Sequence, residues 1–115
     1  MNDKITNTID INSSKIYIRE YNIKKVITAW DISIIHNKKP KHINSTLKHN
    51  IRNFTEGYDY FKLTKKEFLK NFENFQNMIP NNIKHVNLFT ATGYLKIVNS
   101  FQIKHDYGQL KKIYK

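Results

Sequence analysis

Thr28-Ala29-Trp30-Asp31-Ile32-Ser33-Ile34-Ile35-His36-Asn37-Lys38-Lys39-Pro40-Lys41-His42-Ile43-Asn44-Ser45-Thr46-Leu47-Lys48-His49-Asn50-Ile51-Arg52-Asn53-Phe54 is the stretch on which the fold turns. Thr28 is a good N-cap, and Asp31 three residues later makes a short version of the capping box. A first helix is expected from about Ala29 to His36, with Ala29, Ile32 and Ile35 at i, i+3 and i+6 as its inward stripe. Asn37-Lys38-Lys39-Pro40 interrupts it, because the residue before a proline is pushed out of the helical region while proline itself suits a first helical turn. A second helix is expected from Pro40 or Lys41 to Phe54. Ile43, Leu47, Ile51 and Phe54 fall within an arc of about 80° at roughly 100° per residue, so they should face inward together. The connection of about four residues has the length of a helix-turn-helix.

Before this stretch, Ile16-Tyr17-Ile18 and Ile23 to Ile27 are β-branched and aromatic around Tyr21-Asn22, the pattern of a small hairpin. Residues 1–14 are polar and without helical periodicity. A flexible arm or a weak leading strand is expected there, ahead of a domain covering 15–115. After it, Glu56-Gly57 should end the second helix, with Gly57 as the left-handed closing residue. Tyr58 to Leu63 reads as a strand with an aromatic face. Thr64 should cap a third helix from Lys65 to about Phe75, Glu67 completing its capping box. Phe68, Phe72 and Phe75 on that helix are spaced for core packing rather than for stacking on bases. Asn81-Asn82 marks a turn and His85 to Phe89 a strand. Thr90 should cap a fourth helix carrying Tyr94, Leu95, Val98 and Phe101. Asp106 opens a last amphipathic segment with Leu110, Ile113 and Tyr114. Tyr107 and Tyr114 are candidates for contact with a partner subunit. With neither repeat nor linker, the expectation is one small α+β domain with a helix-turn-helix-like core, four to five helices and short β-hairpins.

The length of 115 residues suits one domain. Twenty Lys and Arg against nine Asp and Glu give a net charge of +11, a field that attracts polyanions but says nothing about fold. Arg19 and Arg52 are the sole arginines, so phosphate neutralisation by lysine should outweigh bidentate guanine readout. No cysteine is present, which removes disulfides and thiolate metal sites. His36, His42, His49, His85 and His105 form no ligand-spaced pair, so no metal is expected. His105-Asp106 beside Tyr107 is better explained by capping than by acid-base chemistry. Without a phosphate-binding glycine loop, a nucleophile elbow or paired carboxylates, neither enzymatic activity nor a cofactor is expected. No apolar run approaches the roughly 18 residues of a membrane span, and Met1-Asn2-Asp3-Lys4 is not a signal-peptide start. A soluble protein of the bacterial host cytoplasm, with no membrane partner, is the expectation.

The basic excess is local. Lys38 to Arg52 contains Lys38, Lys39, Lys41, Lys48 and Arg52, two histidines and no carboxylate, whereas from Asn53 to Glu73 four lysines are offset by four acids. Opposite the apolar stripe, the second helix presents Lys41, His42, Ser45, Lys48, His49 and Arg52. Lys38, Lys39 and Lys41 suit phosphates. Ser45, Lys48, His49 and Arg52 suit base edges, and Asn44 on the shoulder could pair with an adenine.

Two blocks carry a family resemblance. Val26-Ile27-Thr28-Ala29-Trp30-Asp31-Ile32 through Asn50-Ile51-Arg52-Asn53-Phe54-Thr55-Glu56-Gly57-Tyr58-Asp59-Tyr60-Phe61-Lys62-Leu63, followed by Leu88-Phe89-Thr90-Ala91-Thr92-Gly93-Tyr94-Leu95, resembles the ORF-six-N domain, a relative of the KilA-N and Bro-N domains of phages and large DNA viruses. The resemblance covers about residues 15–114. It implies a DNA-binding domain of the kind found in phage antirepressors and regulators of lysogeny. Thr28, Asn50, Phe54, Gly57, Tyr60, Phe61 and Gly93 match pattern positions. It further implies that Phe54, Tyr60 and Phe61 are core and Gly57 a helix stop. Members often continue into an effector domain, which this chain is not expected to have.

Two classes of function follow. One is a double-stranded-DNA-binding regulator, with helix 40–54 in the major groove and a homodimer to match two half-sites. The other is a phage-encoded inhibitor that uses the same fold to block a host protein or a protein–RNA defence complex.

Overall fold

The computed structural model describes residues 4–11, 13–71, 83–100 and 113–114. Strands β1 (Lys4–Ile11), β2 (Ser14–Tyr21) and β3 (Lys24–Thr28) lead into helices α1 (Ala29–Ile35) and α2 (Pro40–His49); β4 (Tyr60–Thr64), α3 (Lys65–Asn71), β5 (His85–Phe89) and α4 (Ala91–Ser100) follow. The strands make one antiparallel sheet in the order β1-β2-β3-β5-β4. The domain is therefore α+β. Of the two alternatives for the stretch before residue 15, the leading strand is the one present over Lys4–Ile11, as the edge strand β1 paired along β2.

Strand alternation sorts the apolar residues onto two faces. Ile16, Ile18, Ile27, Tyr60 and Phe89 pack with Ala29, Ile32 and Ile35 of α1, Ile43 and Leu47 of α2, Tyr94, Ile97 and Val98 of α4, and Ile113. Val26, Phe61, Leu63, Val86 and Leu88 pack with Phe68 of α3. A buried ion pair ties these layers together. Arg19 of β2, 2% exposed, donates to Asp31 of α1 at 3.1 Å and lies 5.5 Å from the Phe68 ring centroid. Asp31 also accepts from the Thr28 amide at 2.8 Å and the Thr28 hydroxyl at 2.9 Å, so its capping box is complete. Burial is the largest influence on both charges, pushing the Asp31 carboxyl up and the Arg19 guanidinium down. Each charge is sustained by the other.

Helix α1 is stopped by Asn37, not by Pro40. Asn37 adopts φ +53°, and the amides of Asn37 and Lys38 donate back to the carbonyls of Ile34 and Ser33, the Schellman pattern. Pro40 then opens α2 as its first residue. The second helix is shorter than its apolar spacing predicts. The Asn50 amide is shared between the Thr46 and Leu47 carbonyls and its side chain donates to Thr46 O at 2.8 Å, which closes α2 at His49. A 3₁₀ turn, Ile51–Asn53, follows, and Phe54 reaches the core with extended backbone. Ile51 is consequently 45% exposed rather than inward. Gly57 has φ +89° but stops no helix; it shapes the turn that leads into β4, its amide donating to Tyr60 O at 2.7 Å.

That turn is held against the start of α4. Asp59, fully buried, accepts from the Thr55 amide at 2.8 Å, the Thr92 hydroxyl at 2.7 Å and the Lys96 ammonium at 2.7 Å. The Thr90 hydroxyl donates to the carbonyls of Tyr58 and Asp59, and Gly93 packs directly on the Asp59 carbonyl. The two blocks of the family resemblance thus close on each other. Thr64 and Glu67 form the expected reciprocal cap on α3. Phe72, Phe75, Asn81-Asn82, Phe101, His105, Asp106, Tyr107 and Leu110 lie outside the described residues. Tyr114 turns inward and donates to Phe89 O at 2.9 Å.

Two outcomes are expected. A Cβ on Gly93 would sit 1.9 Å from the Asp59 carbonyl oxygen, so Gly93→Ala should cost about 2–3 kcal/mol or more, read as a Tm lowered by roughly 10 °C. Burial raises the Asp59 carboxyl, but the Lys96, Thr92 and Thr55 contacts outweigh it and hold the group below its usual range. Its stabilisation is present above the unfolded value of about 3.9 and is lost as pH falls through the lower folded value. Wild type should exceed Asp59→Asn in Tm at neutral pH, with the two converging on acidification; a gap that stays constant would contradict this account.

Candidate nucleic-acid interface

Helix α2 owes its orientation to two side chains. Ile43 (0% exposed) and Leu47 (5%) drop into the core between α1 and α4, which turns the other sides of the helix outward. Lys39, Lys41, His42, Lys48 and His49 are exposed there, and Ser45 and Lys38 are half-buried. Arg52 is also exposed, but it stands on the 3₁₀ turn beyond the helix end rather than in phase with Lys48. No side chain caps the start of α2, where Lys39 takes the N-cap position. The expected sidedness of the helix is therefore present over Lys39 to His49, with Arg52 displaced from it.

The acids lie elsewhere. The ion pairs Arg19–Asp31 and Lys96–Asp59 lie outside α2. Glu67 is committed to capping α3, which holds its carboxyl below the ordinary range through bonds from Thr64. The cations of α2 consequently face outward with no carboxylate in their own segment.

The structure adds residues that the sequence pattern does not single out. A groove of about 380 Å³ runs between α2 and the sheet, lined by Asn44, Leu47, Lys48, Ile51, Tyr60, Lys62 and Asn87. Lys62 is exposed on β4 and extends the basic surface from the helix onto the edge strand. Asn87 donates to Asn44 Oδ1 at 3.0 Å. The Asn44 carbonyl is thus engaged by β5, leaving its NH₂ group as the part that can meet a base. Strand alternation places Lys62 on the same face as Tyr60, but only the tertiary structure reveals that α2 crosses above that face.

The histidines divide by role. His42 and His49 are exposed on α2, whereas His36 bonds the Tyr94 hydroxyl at 2.6 Å and secures α1 to α4. Among the described residues no three His, Asp or Glu side chains gather so as to hold a metal ion. No helix there is long and apolar enough to cross a membrane.

The ORF6N domain family model matches residues 15–100, most of the chain. The protein belongs to the ORF6N domain family. Its ORF6N region takes in everything from β2 to α4, including both blocks joined at Asp59 and the whole of α2. That places the chain in a phage-type regulatory family. No curated protein and no solved structure gives a match.

The two sides of α2 should respond differently to truncation. Leu47→Ala removes a buried side chain and should cost about 2–4 kcal/mol of stability. Lys48→Ala, one residue on, should change it by no more than about 0.5 kcal/mol. Chemical denaturation of both variants checks this, and comparable losses would show that α2 is not sided as described.

Proposed function

We propose that this ORF6N protein is a regulatory DNA-binding module, acting in the bacterial host cytoplasm, that lays α2 in the major groove of double-stranded DNA and performs no catalysis. One observation carries the reading. Lys39, Lys41 and Lys48 are exposed on α2, and Arg52 on the turn beyond it, in a segment without carboxylates whose apolar residues Ile43 and Leu47 are fixed in the core. Such a helix can enter a groove without disturbing the fold, and its cations displace the counterions condensed on the duplex.

Roles follow from position. Lys38, Lys39 and Lys41 lie at the turn and first turn of α2, where cations suit phosphate oxygens. Ser45, Lys48 and His49 point along the helix toward base edges, with His42 beside them and the Asn44 amide as a donor. Arg52, beyond the helix, suits the flanking phosphate or a base at the edge of the site. Lys62 extends the phosphate contacts onto β4. Two copies could occupy half-sites one helical turn apart, as helix-turn-helix dimers do. The phage-type family supports a role in transcription control.

The test is duplex binding across salt concentrations, using a random-sequence pool followed by any enriched sequence. Affinity should fall roughly 10³-fold between 50 and 200 mM salt if about six phosphates are neutralised. Lys39→Ala and Lys41→Ala should each lower the salt slope by about one, and Lys48→Ala should cost about 1–3 kcal/mol on the enriched sequence. A flat salt response would overturn the proposal, and capture of a nuclease-resistant host protein partner instead would favour an inhibitor of a host complex.

A further inference from the structure

The hairpin joining β2 to β3 turns in two residues, with Tyr21 paired to Lys24. Asn22 and Ile23 both adopt positive φ, +51° and +69°, the type I′ geometry. Asn tolerates that region; a β-branched residue there is strained and is normally replaced by glycine. Ile23 is also 91% exposed, so packing gives it nothing in return. A residue that is both strained and uncovered is the kind retained at sites of contact.

Its surroundings indicate the contact. The base of the hairpin is packed, with Tyr21 edge-on against Phe61 and ring centroids 4.9 Å apart. Lys24 places its ammonium 4.5 Å from the centroid of Tyr58, in the turn that follows α2. Among the described residues, the large hydrophobic side chains left exposed are Ile23, Tyr58 and Ile51. Ile51 lines the groove beside α2, Tyr58 sits in the next turn, and Lys24 links Tyr58 to the hairpin tip. Tyr58 therefore follows the groove residue Ile51 in sequence and meets the Lys24 that flanks the hairpin tip. Lys24 and Lys25 follow Ile23 directly, and residues 21–28 contain no carboxylate.

We infer that the Asn22-Ile23 tip is a second DNA-contacting element, inserting Ile23 as an apolar wedge into the minor groove beside the major groove occupied by α2. This rests on the DNA-binding reading above. A single apolar side chain between cations suits a base step, where such wedges partly unstack neighbouring bases and bend the duplex. A protein partner would need a far larger patch, on the order of 800 Å² per side, than a two-residue turn presents.

Ile23→Gly separates this role from a structural one, because glycine relieves the positive φ while removing the wedge. Ile23→Asn does the same with a polar side chain. Both variants should keep or raise the wild-type Tm, weaken duplex binding by roughly tenfold or more, and leave the salt slope unchanged, since Ile23 neutralises no phosphate. Energy transfer between dyes at the duplex ends should report a bend with wild type that both variants lose. Wild-type affinity and bending in both variants would overturn the inference while leaving α2 as the reader of DNA. A lowered Tm in both would assign Ile23 to stability and overturn it equally. A wild-type protein that binds no duplex would sink the DNA-binding reading and the wedge together.

Discussion

A carboxylate with no access to solvent has to be satisfied from every direction, and Asp59 is satisfied by three groups at once, one from its own turn and two from α4. Its oxygens take the Thr55 amide, the Thr92 hydroxyl and the Lys96 ammonium, while its own carbonyl takes Thr90 and lies against Gly93. These contacts fix where the turn after α2 meets the start of α4. Lys96 also donates to Asn53 O at 2.7 Å, so the same ammonium holds the 3₁₀ turn that ends the basic segment. Leaving such a group buried and unpaired would cost several kcal/mol, a large share of what keeps a domain folded. The turn beyond α2 is in this sense held by a charge that the helix does not contain.

Arg19 and Asp31 do similar work between the two layers. A buried ion pair is weak support for stability taken alone, because desolvation offsets most of the attraction. Its value here is geometric: Asp31 accepts from the cap of α1 and from β2 together, so α1 can leave β3 in one direction only. The use of acids inside the protein has an external effect. With Asp31 and Asp59 neutralised internally and Glu67 at a helix cap, the outward-facing charge of the α2 region is almost entirely positive.

Local patterns were legible in the sequence. The hairpin of β2 and β3, the caps at Thr28, Thr64 and Thr90, and the burial of Ile43 and Leu47 each depend on neighbours within a few positions. Ile51 misled because a 3.6-residue period continues on paper past the point where Asn50 folds its amide and side chain back onto Thr46 and Leu47. Lys62 and Asn87 join the site only when β4 and β5 are placed under α2, and no short-range periodicity encodes that placement. Asp59 stood in a recognisable block, yet its partners Thr92 and Lys96 lie more than thirty positions away. The end of β1 reads as polar because this edge strand alternates exposed Thr8 and Asp10 with the more buried Ile9 and Ile11.

The sheet also orders events in time. β1 pairs along β2, and β2 joins β3 through a tight two-residue turn; such hairpins close within microseconds. The join between β3 and β5 is different, for it sets Ile27 opposite Phe89 across the whole helical middle of the chain. Closing that span carries most of the loop entropy, and long-range pairings of this kind set folding rates. An N-terminal three-stranded unit should therefore leave the ribosome already formed and wait for β5, with the exposed edge of β3 its point of vulnerability until the rest of the chain arrives.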